Sequence, residues 1–133
     1  MKNLIALCLV LALSGCASTI DRVKSWIPSG WDANQSARIT DVRLRVDSID
    51  CGSDQLAQAR ALVQDLRWFE LYSESKGWRQ RDVLALIKPM QETATDWLKR
   101  SQTAQGSEAY CRIKQRILAQ QAARAAQVIQ GRF

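Results

Sequence analysis

Apolar residues recur at intervals of three and four along most of this chain, and polar, glycine-containing stretches interrupt them. Ile39, Val42, Val46 and Ile49 open the pattern. With 3.6 residues per turn, that spacing turns one helical face toward a core. Asp32 is the expected N-cap of this first helix, with Gln35 completing a capping box. Cys51-Gly52 closes it, Gly52 suiting the left-handed position past a helix end. Ser53 starts the second helix, with Asp54 in its first turn where a carboxylate meets the positive dipole end. Leu56, Ala59, Leu62, Val63, Leu66, Phe69 and Tyr72 form its stripe, which ends near Lys76-Gly77.

A third helix begins near Arg79 and shows Val83, Leu86, Ile87, Met90, Ala94, Trp97 and Leu98. Its phase runs through Pro89, which predicts one kinked helix rather than two, although a proline removes a ladder bond and clashes with the preceding turn. Residues 102–107 make the next turn. The fourth helix runs from about Ser107 to Gln130, with Tyr110, Ile113, Ile117, Leu118, Ala122, Ala125, Val128 and Ile129 inward; its alanine-rich second half allows close helix approach. No alternating β-branched run and no tandem repeat interrupts the helical reading. Four helices with short connections predict an all-α domain, an antiparallel four-helix bundle, over residues 32–133.

The start of the chain has a different pattern. Lys2 precedes an apolar run from Leu4 to Leu13, which is shorter than the roughly 20 residues a membrane-crossing helix needs and suits the apolar region of a secretory signal. The run ends in Leu13-Ser14-Gly15-Cys16, and this quartet resembles the lipobox of bacterial lipoproteins. The resemblance implies that residues 1–15 are removed as a signal peptide, and that Cys16 is lipidated and becomes the acylated amino terminus. Only a thiol accepts the diacylglyceryl group, and small residues at 14 and 15 let the backbone lie extended in a peptidase cleft. Ala17, where retained lipoproteins usually carry Asp, implies the periplasmic face of the outer membrane rather than the inner membrane. Acyl chains on Cys16 would hold the protein permanently, each buried methylene contributing about 0.8 kcal/mol.

Residues 16–31 then form a short lipidated tether. Ile20, Val23, Trp26 and Ile27 recur at helical spacing before Pro28-Ser29-Gly30 breaks the chain. The segment reads equally as a turn or two of interfacial helix, placing Trp and Ile in the headgroup boundary, or as a loose linker.

The formal net charge of the whole chain is +6, and removal of Lys2 with the signal lowers it to +5. The basic residues are scattered among acids on helical faces, which reads as an ordinary solvated surface, the other reading being a basic face toward anionic lipid, lipopolysaccharide or cell wall. An extracytoplasmic address and the lack of a basic–aromatic platform argue against nucleic acid. The chain has no histidine, which removes the commonest general base and metal ligand. No cofactor loop, nucleophile elbow or metal-spaced cluster occurs. The sequence therefore predicts no catalytic residue, metal or cofactor.

With Cys16 lipidated, Cys51 and Cys111 remain. An even remainder in an oxidising compartment predicts one disulfide, the other reading being two separately buried thiols. The bundle gives an independent argument. If successive helices alternate in direction, the end of the first and the start of the fourth meet at one end of the domain, which is where these two cysteines fall.

Trp68, Phe69, Tyr72, Trp78 and Trp97 surround the turn between the second and third helices and the later half of the third. Helically spaced aromatics usually belong to a core. Trp68, however, lies off its helix's stripe and Trp78 follows Gly77, so these two are the candidate anchors for a protein partner, beside a groove opened by Pro89. The layout of lipobox, Cys51, Lys76-Gly77-Trp78 and Cys111 also resembles the pilotin lipoproteins of type II secretion. That likeness implies a small disulfide-bonded helical bundle holding a helical segment of a secretin. Outer spanin subunits and exclusion lipoproteins of phage or plasmid origin are of similar size. The expected function is a non-catalytic binding or adaptor module for another envelope protein. A hydrolase of cell-wall material is the competing class, because a catalytic carboxylate pair comes together only in the fold.

Overall fold

The computed structural model describes residues 29–103 and 107–132. The lipobox, Cys16, the tether up to Pro28, and Gly106 in the last turn lie outside the described residues. Among the described residues the structure is all-helical: α1 (Ala33–Asp47), α2 (Gln55–Ser75), α3 (Arg81–Gln102) and α4 (Glu108–Gln130), with a single 3₁₀ turn, Trp78–Gln80, leading into α3. The helices close a ring in which α1 packs on α2, α2 on α3, α3 on α4, and α4 back on α1.

Each start has a chemical cause. The carboxylate of Asp32 accepts the N–H of Gln35, Asp54 that of Ala57, and Ser107 Oγ that of Tyr110, so three of the four helices satisfy an orphan donor of their first turn with an N-cap side chain. The capping box expected at Asp32 is only half formed. The Gln35 amide is buried and donates to Ser73 Oγ and Gln80 Oε1, each at 3.0 Å, tying α1 to the far end of α2 instead of reaching back to its own cap. The second helix starts one residue later than expected, with Asp54 rather than Ser53 as its cap.

Two helix ends correct the sequence reading. α1 stops at Asp47 with Ser48 as its C-cap, so Ile49 and Cys51 are buried from the connecting loop rather than from the helix. The left-handed glycine is Gly77, at φ 87°, and not Gly52. Gly77 turns the chain sharply out of α2 into the 3₁₀ turn, a backbone shape that costs a residue with a Cβ considerably more. α3 is one helix across Pro89, as its phase implies.

Trp97, Phe69, Leu62, Leu66, Ile87, Met90, Ile39 and Leu118 are fully buried, with Val42, Val46 and Val83. α4 contributes Ala122, Ala125, Ala126 and Ile129 to this core, while Ile113, Ile117 and Val128, expected inward, are exposed. They lie off the line through Cys111, Leu118 and Ala125, Ile113 by nearly half a turn and Ile117 by more than a quarter. Where α4 meets its neighbours, small alanines fill the interface, and the bulky aliphatics fall on the flank.

Cys51, just past α1, and Cys111, in the first turn of α4, form a disulfide with Cα atoms 5.6 Å apart, closing a loop across 60 positions of sequence. Gln115 of α4 adds bonds at this end, donating to the carbonyls of Val46 and Ile49 at 3.2 and 3.1 Å.

Candidate partner-binding groove

A groove of about 660 Å³ runs along the outer seam of α2 and α3. A second depression of about 270 Å³ shares Glu70, Gln91 and Thr95 with it and continues along the same seam. The walls follow from helical spacing. Glu70 and Glu74 stand one turn apart on α2, and Leu84, Lys88, Gln91 and Thr95 follow one another every three or four residues on α3. Short side chains at Ala85 and Thr95 leave the space open, and Leu66, Val63 and Leu84 provide apolar contact at its base.

Acidic side chains predominate in the groove. Glu70, Glu74, Glu92 and Asp96 face Lys88 and Lys99. Asp96 is already engaged, accepting from Tyr110 Oη at 2.5 Å and pairing with Lys114 Nζ at 2.6 Å. The Lys114 ammonium and the Tyr110 hydroxyl hold its carboxyl below the usual carboxylate range, and Asp96 in turn raises the pKa of Lys114. Glu70 pairs with Arg67 on its own helix. Pro89 also marks the groove. It has no N–H to give to the carbonyl of Ala85, a groove residue four positions back.

The aromatic residues lie elsewhere, which corrects the expectation that Trp68 and Trp78 border a groove between the second and third helices. Trp68 is on the opposite flank of α2, toward α1. Its ring stacks on Tyr72 with centroids 5.1 Å apart and planes 5° from parallel. Arg38 of α1 lies over Trp68 at 4.8 Å, and Lys76 over Tyr72 at 5.3 Å. Arg38 also pairs with Asp65 at 3.0 Å, a carboxylate it shares with Arg45. This ladder seals the α1–α2 seam and leaves Trp68 43% exposed. Residues 68, 72 and 76 are spaced by four, so the stack was visible in sequence as one helical line. Trp78 lies on the 3₁₀ turn with Arg79 over its ring at 5.5 Å.

A second cluster carried no sequence signal. Ser29 is buried, and both its N–H and Oγ donate to Asp82 Oδ2, at 3.3 and 3.2 Å. Arg132, past α4, pairs with the same carboxylate at 2.8 Å and donates to Ser29 Oγ. Lys76 meets Asp32 at 3.1 Å, and Tyr72 Oη donates to the same Asp32. The chain entering from the tether is thus fastened to the start of α1, the end of α2, the start of α3 and the end of α4. Among the described residues there is no group of three or more side chains able to hold a metal ion, and no helix is long and apolar enough to cross a membrane. No protein family, no curated protein and no solved structure matches this chain.

Proposed function

We propose that this chain is a bacterial lipoprotein of the outer membrane, held at the periplasmic face by acyl chains on Cys16, and that it binds a helical segment of another envelope protein without catalysing a reaction. In this reading residues 1–15 are removed, residues 16–31 are the tether, and residues 32–133 are an antiparallel four-helix bundle. The alternating order is supported by which ends meet. Gln35 at the start of α1 bonds Ser73 at the end of α2. Gln130 at the end of α4 bonds Thr40 and Ser36 early in α1. Cys51 after α1 bonds Cys111 at the start of α4. A disulfide of this kind belongs to an oxidising compartment, and it uses both cysteines downstream of the lipobox.

The observation that carries the binding function is the α2–α3 groove. It is long and open, with an apolar base and with Glu74 and Glu92 exposed on its walls, on a scaffold clamped by a disulfide. Such a groove accepts an amphipathic helix that lays apolar residues against Leu84 and Ala85 and basic residues toward Glu70, Glu74 and Glu92. A helical segment is also what the pilotin-like layout implies for a partner.

The test is crosslinking from native envelopes with wild type and with a variant carrying Glu70→Lys, Glu74→Lys and Glu92→Lys. Wild type is expected to retain a partner that the variant loses, and a second variant with only Glu74→Lys and Glu92→Lys, both exposed, keeps the melting temperature, because Glu70 is half-buried and paired with Arg67. Equal recovery by both proteins would count against the groove. Release of soluble fragments from purified peptidoglycan by the wild-type protein would favour the competing hydrolase.

A further inference from the structure

The end of the bundle fastened to Ser29 differs from the opposite end in its surface chemistry. It presents two exposed indoles: Trp31, 55% exposed, just before α1, and Trp78, 38% exposed, on the 3₁₀ turn after α2. Both belong to the end where Asp32, Lys76, Asp82 and Arg132 join the helix termini. Lys76 and Arg132 are balanced by Asp32 and Asp82. Arg79 and Arg81 are exposed beside the indoles, and among the described residues neither has an acid within ion-pair distance. At the opposite end, the connection from residue 48 to 54 carries Asp50 and Asp54 and neither an aromatic ring nor a basic side chain, and the ring at the α3–α4 side, Tyr110, is covered by Arg100 and Lys114 and bonded to Asp96.

We infer that this aromatic and basic end is a membrane-seating face. Trp31 and Trp78 insert at the headgroup level of the bilayer that holds Cys16, Arg79 and Arg81 contact anionic phospholipid headgroups, and the bundle stands with its disulfide end away from the lipid. The inference rests on the lipoprotein reading above. Indole rings favour the membrane–water boundary because they join an apolar body to a polar N–H, and neighbouring basic residues gain from the negative surface. Connectivity selects the same occupant. Ser29 is 13 residues from Cys16, which is at most about 45 Å of extended chain. α4 alone, at 23 residues, is about 35 Å long. Fully extended, the tether reaches little beyond the length of the bundle, and it enters the domain at the Ser29 end, where the bonds of Ser29 to Asp82 and Arg132 fix which surface stands beside the entry point. In this arrangement the α2–α3 groove stands upright from the membrane, open along its length to a partner.

The test uses the full mature lipidated protein in vesicles of phosphatidylethanolamine and phosphatidylglycerol, with brominated acyl chains as quenchers of tryptophan emission. Trp26→Phe is the common background, so that the tether does not contribute. Emission from Trp31 and Trp78 is expected to be quenched. The quenchable fraction should fall by about half in Trp31→Phe or Trp78→Phe and disappear in the double variant, while Trp68→Phe leaves it unchanged. Arg79→Glu with Arg81→Glu, two surface changes that spare the fold, should reduce quenching in these vesicles and have little effect in neutral phosphatidylcholine. A protein that is acylated and floats with the vesicles, but whose quenching is the same in the double variant, overturns the seating face and leaves the anchor standing. A chain that takes no acyl groups and does not float overturns the anchor and the seating face with it.

Discussion

Ser29 Oγ donates to Asp82 Oδ2 at 3.2 Å, across 53 residues of sequence. Arg132 grips the same carboxylate, so the point where the chain enters the bundle is joined to the start of α3 and the end of α4. In the proposed lipoprotein, a tether ending in such a joint would pass the position of its anchor to the whole domain.

The disulfide should be a principal source of stability. Closing a loop of this length restricts the unfolded chain by roughly 4 kcal/mol on the chain-entropy description. Cys51→Ser is expected to lower the unfolding free energy by about 2–5 kcal/mol in denaturant titrations, and the wild-type protein to show no titratable thiol at these two positions when denatured without reductant. Equal stability of the two proteins would contradict this.

Pro89 should be a cost to the fold. It is exposed and interior to α3, so Pro89→Ala removes no buried contact and restores a donor for the Ala85 carbonyl. A gain of about 1–3 kcal/mol is expected, read as a higher melting temperature. A loss of stability would show that the ring supports packing.

The helical periods, the four helices and the cysteine pair were legible in sequence because each depends on local spacing or on simple parity. Ile39, Leu62, Ile87 and Leu118 are buried where their phase puts them. Ile113, Ile117 and Val128 misled because hydrophobicity outweighed phase, and the structure gives their place to alanines. The groove lies on the expected pair of helices, but its position could not be found from the tryptophans. It arises from short side chains at Ala85 and Thr95, which register as gaps only once two helices are packed. The joint of Ser29, Asp82 and Arg132 depends on residues far apart in sequence, so no local pattern marks it.

The Asp32–Lys76 pair makes stability depend on pH at the acidic end. Partial burial pushes the Asp32 carboxyl up, but the Gln35 N–H, the Lys76 ammonium and the Tyr72 hydroxyl together bring it below the usual value. The unfolded chain therefore takes up this proton first. The contribution is complete above the ordinary carboxylate pKa of about 3.9 and is lost as pH falls through the lower folded value. Asp32→Asn keeps an N-cap of similar strength and removes the charge. It is expected to be less stable than wild type at neutral pH, with the difference closing as the solution is acidified. A constant difference from pH 7 to the acid transition would contradict the pairing.

The Arg38–Trp68 contact should be measurable as a coupling. In a double-mutant cycle with Arg38→Ala and Trp68→Ala, an interaction of about 0.5–1 kcal/mol is expected, with the fold intact because Trp68 is outside the core. Additive effects would mean that the stacked geometry contributes nothing beyond burial.

The central claim is that Cys16 is the lipidated first residue, and intact-mass measurement of the protein isolated from its native membrane tests it most directly. The expected species begins at Cys16, lacks residues 1–15 and carries added acyl mass on that residue, and Cys16→Ser accumulates as an uncleaved precursor without that mass. A chain that retains residues 1–15, or that begins elsewhere and carries no acyl group, would contradict the account.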